Sequence, residues 1–138
     1  MKFLVDTNVL SELTRKDPDK SVLSWFNQID EKALFISVIS LGEINLGIEK
    51  LPEGRKRNDL IAWFNHIQEG FRYQTYPINA ETALKWGELT ALRSRLGKPL
   101  PILDGLIAST TYLEGAILVT RNTKDFEGLA IQTLNPWL

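Results

Sequence analysis

Three carboxylates stand where a chain of alternating strands and helices can gather acids: Asp6 directly after the apolar run Lys2–Val5, Glu43 behind Ser40, and Asp104 behind Pro101. Each lies at the end of a predicted element. Helix N-termini carry unpaired N–H groups and the positive end of the macrodipole, so Glu43 and Asp104 are expected to stay ionised and open to a cation. An all-oxygen set suits a hard ion. Mg²⁺ takes one or two carboxylates, keeps several waters and leaves positions for a phosphate, whereas zinc favours His or Cys. The chain has one His and no Cys. Each acid also has a structural reading: Asp6 as the N-cap of a following helix, Glu43 as the partner of Ser40 in a Ser-x-x-Glu capping box, Asp104 as the complement of a helix dipole. Spacing alone does not bring the three together in space.

The elements that must position them follow from periodicity. Lys2–Val5 reads as a buried strand opening onto Asp6-Thr7-Asn8, where a helix or loop begins. Helical spacing over 19–29 (Val22, Leu23, Phe26, Ile29) is followed by a short strand at Leu34–Ser37. Ser40 is expected to restart a helix that Pro52 and Gly54 stop, and a further helix covers Arg55–Gln68. Phe71–Tyr76 reads as a short strand, Ala80–Leu96 as a long amphipathic helix closed by Gly97, and Leu103–Leu113 as a small-residue-rich helix stopped at Gly115. Ala116–Thr120 has the composition of a buried strand, and Ala130–Thr133 that of an edge strand after a loop at Asp125–Gly128. Alternating strands and helices predict an α/β fold with a parallel sheet covered on both faces. Functional groups then collect beyond the carboxyl ends of the strands, where Asp6 and Asn122 fall.

Composition narrows the class. A chain of 138 residues, 43% hydrophobic, is expected to fold as one domain over residues 1–138 without disulfide or zinc staples. The absence of cysteine excludes thiolate chemistry and fits a reducing cytoplasm. MKFLVDTN is too short an apolar stretch for a signal peptide, and no run is long enough for a bilayer, so a soluble protein without membrane contact is expected. A net charge of −1 argues against a generally basic nucleic-acid-gripping surface. Local basic clusters remain at Arg15–Lys16, Arg55–Lys56–Arg57 and Arg93–Arg95–Lys98, each equally readable as a solvated face. His66 has no second imidazole to work with, and the four tryptophans lie where helix packing or, for Trp137, a tail anchor accounts for them.

Four blocks carry a resemblance: LVDTNVLSEL, ISLGEINLGIEKL, LPILDGLIASTTYL and LVTRNTKDF, in this order, with the ending LNPWL. Together they span nearly the whole chain, which is thereby similar to the PIN-domain family, and within it to the VapC-like and FitB-like toxin ribonucleases of type II toxin–antitoxin pairs. The resemblance implies a three-layer α/β/α sandwich around a mainly parallel sheet. It also implies Mg²⁺- or Mn²⁺-dependent endonucleolytic cleavage of RNA by an activated water, a small cognate antitoxin as partner, and a homodimer. By motif, the family's acids fall on Asp6, Glu43 and Asp104. The fourth position falls either on Asn122, where an amide replaces an acid, or on Asp125, which is taken as the fourth catalytic acid. Thr7, Asn8 and Thr120 are expected to support Asp6 or a metal-bound water, or else to cap and end their elements. Arg121 can face phosphate or simply solvent.

Two other readings compete. A phosphatase-like hydrolase would use Asp6 as nucleophile, but such families follow it with a second aspartate where Asn8 stands. A non-catalytic partner-binding module would use the acids only as caps, with its basic and aromatic helices as the interface.

Overall fold

The computed structural model describes all 138 residues. In chain order the elements are β1 (Phe3–Val5), α1 (Thr7–Glu12), α2 (Lys20–Gln28), β2 (Leu34–Ser37), α3 (Val38–Glu49), α4 (Arg55–Gly70), β3 (Thr75–Tyr76), α5 (Ala80–Arg95), α6 (Ile102–Glu114), β4 (Ile117–Val119) and β5 (Gln132–Leu134), with 3-10 turns at Glu31–Ala33 and Thr123–Phe126. The five strands form one sheet in the order β3-β2-β1-β4-β5, and every neighbouring pair is parallel. This is the α/β/α arrangement the alternation of elements predicts.

Strand alternation divides the core in two. Phe3 and Val5 of β1, Leu34 and Ile36 of β2 and Val119 of β4 point to one face, where Val9, Leu10, Val22, Ile44, Ile48 and Phe64 from α1–α4 cover them. Leu4 and Leu118 point to the other, under Leu89 of α5 and Ile107 and Ala108 of α6, with Phe126 and Leu129 closing the edge. The period of two in these short strands thus serves two helical layers at once. The tryptophans belong to this packing: Trp25 meets Phe3 edge-on at 5.4 Å, and Trp63 and Trp137 pack against the first core. His66 is exposed on α4. No helix is long and apolar enough to cross a membrane.

Three boundaries differ from expectation, each for a local reason. Helix α3 begins at Val38, with Ser37 as its N-cap accepting the Ile39 N–H at 3.0 Å, so Ser40 and Glu43 do not form a capping box. The β-branched pair Val38–Ile39 prolongs the apolar run of β2 and hides the helix start. Strand β3 is only Thr75–Tyr76, because Phe71–Gln74 closes a turn through the Gln74 N–H to the Phe71 carbonyl at 2.8 Å. Strand β5 starts at Gln132 rather than Ala130, whose φ of 56° is left-handed and incompatible with a strand. The expected loop at Asp125–Gly128 begins as a 3-10 turn that buries Phe126.

Gly105 of α6, next to Asp104, packs tightly against Trp86 of α5. A Cβ there would lie 2.8 Å from Trp86 Cδ1 and 3.3 Å from Leu100 Cδ2. The contact places α6 and therefore Asp104. Gly105→Ala is expected to cost about 1–3 kcal/mol by overpacking, read as a lower denaturation midpoint; an unchanged midpoint would show that the indole moves aside freely.

Candidate active site

Strand order makes the crevice. The chain leaves β1 for β2 on one side and later returns to β4 on the other, so the carboxyl ends of β1 and β4 form a switch point from which connections diverge. Asp6 follows Val5 there, and its N–H donates to the Val119 carbonyl at 2.9 Å, extending the β1–β4 ladder by one residue. With φ −70° and ψ 156° it is the N-cap of α1. Its Oδ1 accepts the Thr7 N–H at 2.8 Å, and its Oδ2 accepts the Thr120 hydroxyl at 2.8 Å and the Asn8 amide at 3.4 Å. The capping reading and the site reading of Asp6 therefore hold together.

Thr7 reaches the other way. Its hydroxyl donates to Glu43 Oε1 at 2.7 Å and lies 2.8 Å from Ser40 Oγ, which, with the threonine proton spent on Glu43, is the donor of that second bond. Ser40 and Glu43 are three residues apart on α3 and face α1 together. Asn8 in turn accepts the Arg121 N–H at 3.3 Å, and Thr120 Oγ1 accepts the Asn122 N–H at 3.2 Å. Asp104 is the third residue of α6, in its first turn, and makes no hydrogen bond within the chain.

One cavity of about 540 Å³ collects Asp6, Thr7, Asn8, Glu43, Asp104 and Asn122, and none of its lining residues is hydrophobic. The structure thus brings together the three acids and the expected supporting groups. It does not bring in Asp125, which is exposed on the 3-10 turn outside this lining. Of the two alternatives for the fourth position, Asn122 faces the cavity; Asp125 acts on it only through its charge, which raises Asp104. Arg121 lies over the Trp137 ring at 4.9 Å, so its guanidinium is engaged by the C-terminal segment. Sequence reading missed Glu12 and Ser11, which also line the cavity together with Arg15 of the Arg15–Lys16 cluster. Asn8 and Glu12 are four apart on α1, and that spacing was the available signal. Glu12 is buried and anchors the next connection, its Oε2 accepting the Asp19 N–H at 2.8 Å.

Two of the acids, Asp6 and Asp104, are raised above the ordinary carboxylate value. Burial raises Asp6 to about 6; the Thr120 and Thr7 hydrogen bonds oppose this, and the charges of Glu43 and Asp104 add to it. Asp104 is likewise raised, first by burial, then by Asp125 and Glu43, with Arg93 opposing. At Asp104, burial, with the like charges of Asp125 and Glu43 adding to it, outweighs the helix N-terminus.

Arg93 supports this side of the site. It is buried and donates to the carbonyls of Lys98, Asp125 and Glu127 at 3.0, 3.0 and 3.3 Å. Of the cluster Arg93–Arg95–Lys98, Arg93 is therefore held inside the fold.

The donor set fits a hard divalent cation. The acidic donors are carboxylate oxygens, the Asp104 carboxylate has no hydrogen-bond partner in the chain, and a cation would favour the charged form of both raised acids. No three acidic or imidazole side chains stand close enough to hold a bare ion between them. An ion here would therefore rest on one or two carboxylates and complete its shell with water.

In the metal-free protein the sign of the Asp6 effect is fixed. Its folded value lies above that of an unfolded chain, so the fold favours the protonated acid and loses stability as pH rises from about 4 through 6. Asp6→Asn is expected to stabilise the metal-free protein at pH 7.5 by about 1–2 kcal/mol, after loss of one acceptor, with the advantage gone below pH 4. Thermal melts of both proteins across that range decide it, and a less stable variant at pH 7.5 would contradict it.

Comparison with known proteins places this arrangement. The PIN domain profile matches residues 3–131. A VapC ribonuclease, Y4jK, of Sinorhizobium fredii is 30% identical over 98% of this chain and 97% of its own length. Toxin FitB of Neisseria gonorrhoeae is 29% identical over 98% of each chain. The solved structure of FitAB bound to an IR36 DNA fragment superimposes with a TM-score of 0.94 at 28% identity, covering 99% of this chain and 96% of that one. With the profile spanning most of its length and the acids set at the carboxyl ends of a β3-β2-β1-β4-β5 sheet, the chain belongs to the PIN-domain family.

Proposed function

We infer that this chain is a divalent-cation-dependent endoribonuclease, the toxin of a type II toxin–antitoxin pair, with RNA as substrate and a small antitoxin as protein partner in the cytoplasm. The observation that carries the reading is the all-polar cavity in which Asp6, Glu43 and Asp104, from three separate helix starts and turns, face one space. Family membership and the likeness to a VapC ribonuclease and to Toxin FitB support it. A homodimer accompanies the reading.

Mg²⁺ or Mn²⁺ would fit this set, with Asp6 and Asp104 as the residues that would hold it and Glu43 beside them. When bound, such an ion supplies Lewis acidity at the phosphoryl group and eases deprotonation of a water. The chain does the positioning. Asp6 is locked by Thr7, Thr120 and Asn8, so its orientation is set before substrate arrives. Glu43 is held through Oε1 by Thr7, leaving Oε2 to accept a proton from the attacking water. Asn122 offers a side-chain amide at the cavity wall that can orient a water or a phosphate oxygen. In-line attack on phosphorus with departure of the 3′-oxygen leaves 5′-phosphate and 3′-hydroxyl ends.

Incubation of the purified protein with total RNA, with Mg²⁺, with Mn²⁺ and with EDTA, is expected to give defined cuts only with a divalent ion. Asp6→Asn, Glu43→Gln and Asp104→Asn should each lower the rate by about 100-fold or more while the fold persists. Undiminished cleavage by Asp6→Asn would refute the assignment. At the fourth position, Asn122→Ala is expected to cost about tenfold in kcat/KM and Asp125→Ala much less; the reverse order, measured on the same RNA, would return that position to Asp125.

A further inference from the structure

The acidic cavity has a basic neighbour. A cleft of about 910 Å³ between the α1–α2 connection and the start of α4 is lined by Arg15, Lys16, Arg55 and Lys56, set against the carboxylates of Asp17 and Asp59. Arg15 lines this cleft and the acidic cavity alike. A smaller cavity of about 320 Å³ joins them on the other side, touched by Lys56 at one end and by Thr7 and Glu43 at the other. The two sites are therefore continuous along the surface.

We propose that this cleft is the path of the RNA strand flanking the cleaved bond, with Lys16, Lys56, Arg15 and Arg55 holding its phosphates. The proposal rests on the ribonuclease reading above and adds to it a strand-binding surface. Three carboxylates around a scissile phosphate repel a polyanion, and a chain of net charge −1 offers no general attraction to offset this. Cations concentrated beside the site supply that attraction where it is needed. They are available: Lys16 and Lys56 form no ion pair, Arg55 reaches Asp59 only at 4.0 Å, and Arg15 reaches Glu12 at 3.5 Å while two-thirds exposed (66%). Residues 15, 16, 55 and 56 are all exposed. The lining also discriminates against a partner helix, because it contains a single hydrophobic residue, Leu60, and a helix docks through an apolar stripe. A sugar-phosphate backbone needs only charge and hydrogen bonds.

The test is anisotropy of a labelled oligouridylate of about twelve nucleotides in EDTA, where no cleavage occurs. Lys16→Ala/Lys56→Ala is expected to weaken binding about tenfold and to flatten the slope of log K against log salt by roughly 1.4, at about 0.7 per lost contact on a single strand. Arg95→Ala/Lys98→Ala, on exposed positions of the α5 end, should leave both unchanged. In cleavage assays with Mg²⁺ or Mn²⁺ the lysine pair is expected to raise KM and preserve kcat. Wild-type affinity and slope in the lysine variant would overturn the path, as would equal weakening by the control pair. A loss confined to binding of polyglutamate would also overturn it, assigning the cleft to an acidic protein segment. Lysine-dependent RNA binding without any metal-dependent cleavage would instead overturn the nuclease reading on which the path rests.

Discussion

Burying a carboxylate at the end of the central strand is costly unless its oxygens are occupied, and the way Asp6 is satisfied organises everything around it. Its partners come from three places: the first N–H of α1, the Asn8 amide one residue further along that helix, and the Thr120 hydroxyl beyond β4. Each bond also fixes a neighbour. Thr120 accepts the Asn122 N–H, Asn8 accepts the Arg121 N–H, and Thr7, started into its helix by the Asp6 cap, delivers its hydroxyl to Glu43. One anion thereby ties β1, α1, β4 and α3 at a single corner. The residual penalty is visible in the raised pKa of Asp6, and a bound cation would relieve it.

The opposite wall is built by packing rather than by polar bonds. Asp104 has no hydrogen-bond partner in the chain, and its place depends on the seat of α6 against α5, where Gly105 admits the edge of Trp86. Arg93, from the last turn of α5, adds a second restraint by gripping the carbonyls of Asp125 and Glu127, so the 3-10 turn beside the site follows the same helix. The site therefore joins a polar corner belonging to one helical layer to an acid carried by the other. The sheet between the two cores holds them at a fixed separation.

Much of this was legible from residue order. Asp6 and Asp104 could be singled out because they stand at element boundaries and Glu43 because a helix start was expected at Ser40, although it lies in the second turn of α3; periodicity located every strand and all the longer helices. What was illegible came from spacings that two structures share. Ser40-Leu41-Gly42-Glu43 has the form of a capping box, yet the same three-residue separation puts Ser40 and Glu43 on one helix face, and here that face is turned to Thr7. Local sequence cannot distinguish the two, because the choice depends on where the helix begins, and Val38–Ile39 conceal the start. Asn122 and Asp125 posed a similar ambiguity. The chain bends after Thr120 into a 3-10 turn, which leaves Asn122 lining the cavity and Asp125 outside that lining, a placement that local sequence does not encode.

Charge explains why the composition looked unpromising for a nucleic-acid enzyme. A net charge near zero conceals a separation of charge: carboxylates converge at the strand ends, and cations converge a few side chains away on the α1–α2 connection and the start of α4. Of the other cations noted in the sequence, Arg57 is paired with Glu49 at 3.4 Å, and Arg93 is buried on backbone carbonyls, where its charge acts on Asp104 and is not presented to a strand. The acids need a cation to approach phosphate, and the strand needs cations to approach the acids. Placing the two sets side by side meets both requirements without making the whole surface basic, since screening confines each to a range of about 8 Å at physiological salt.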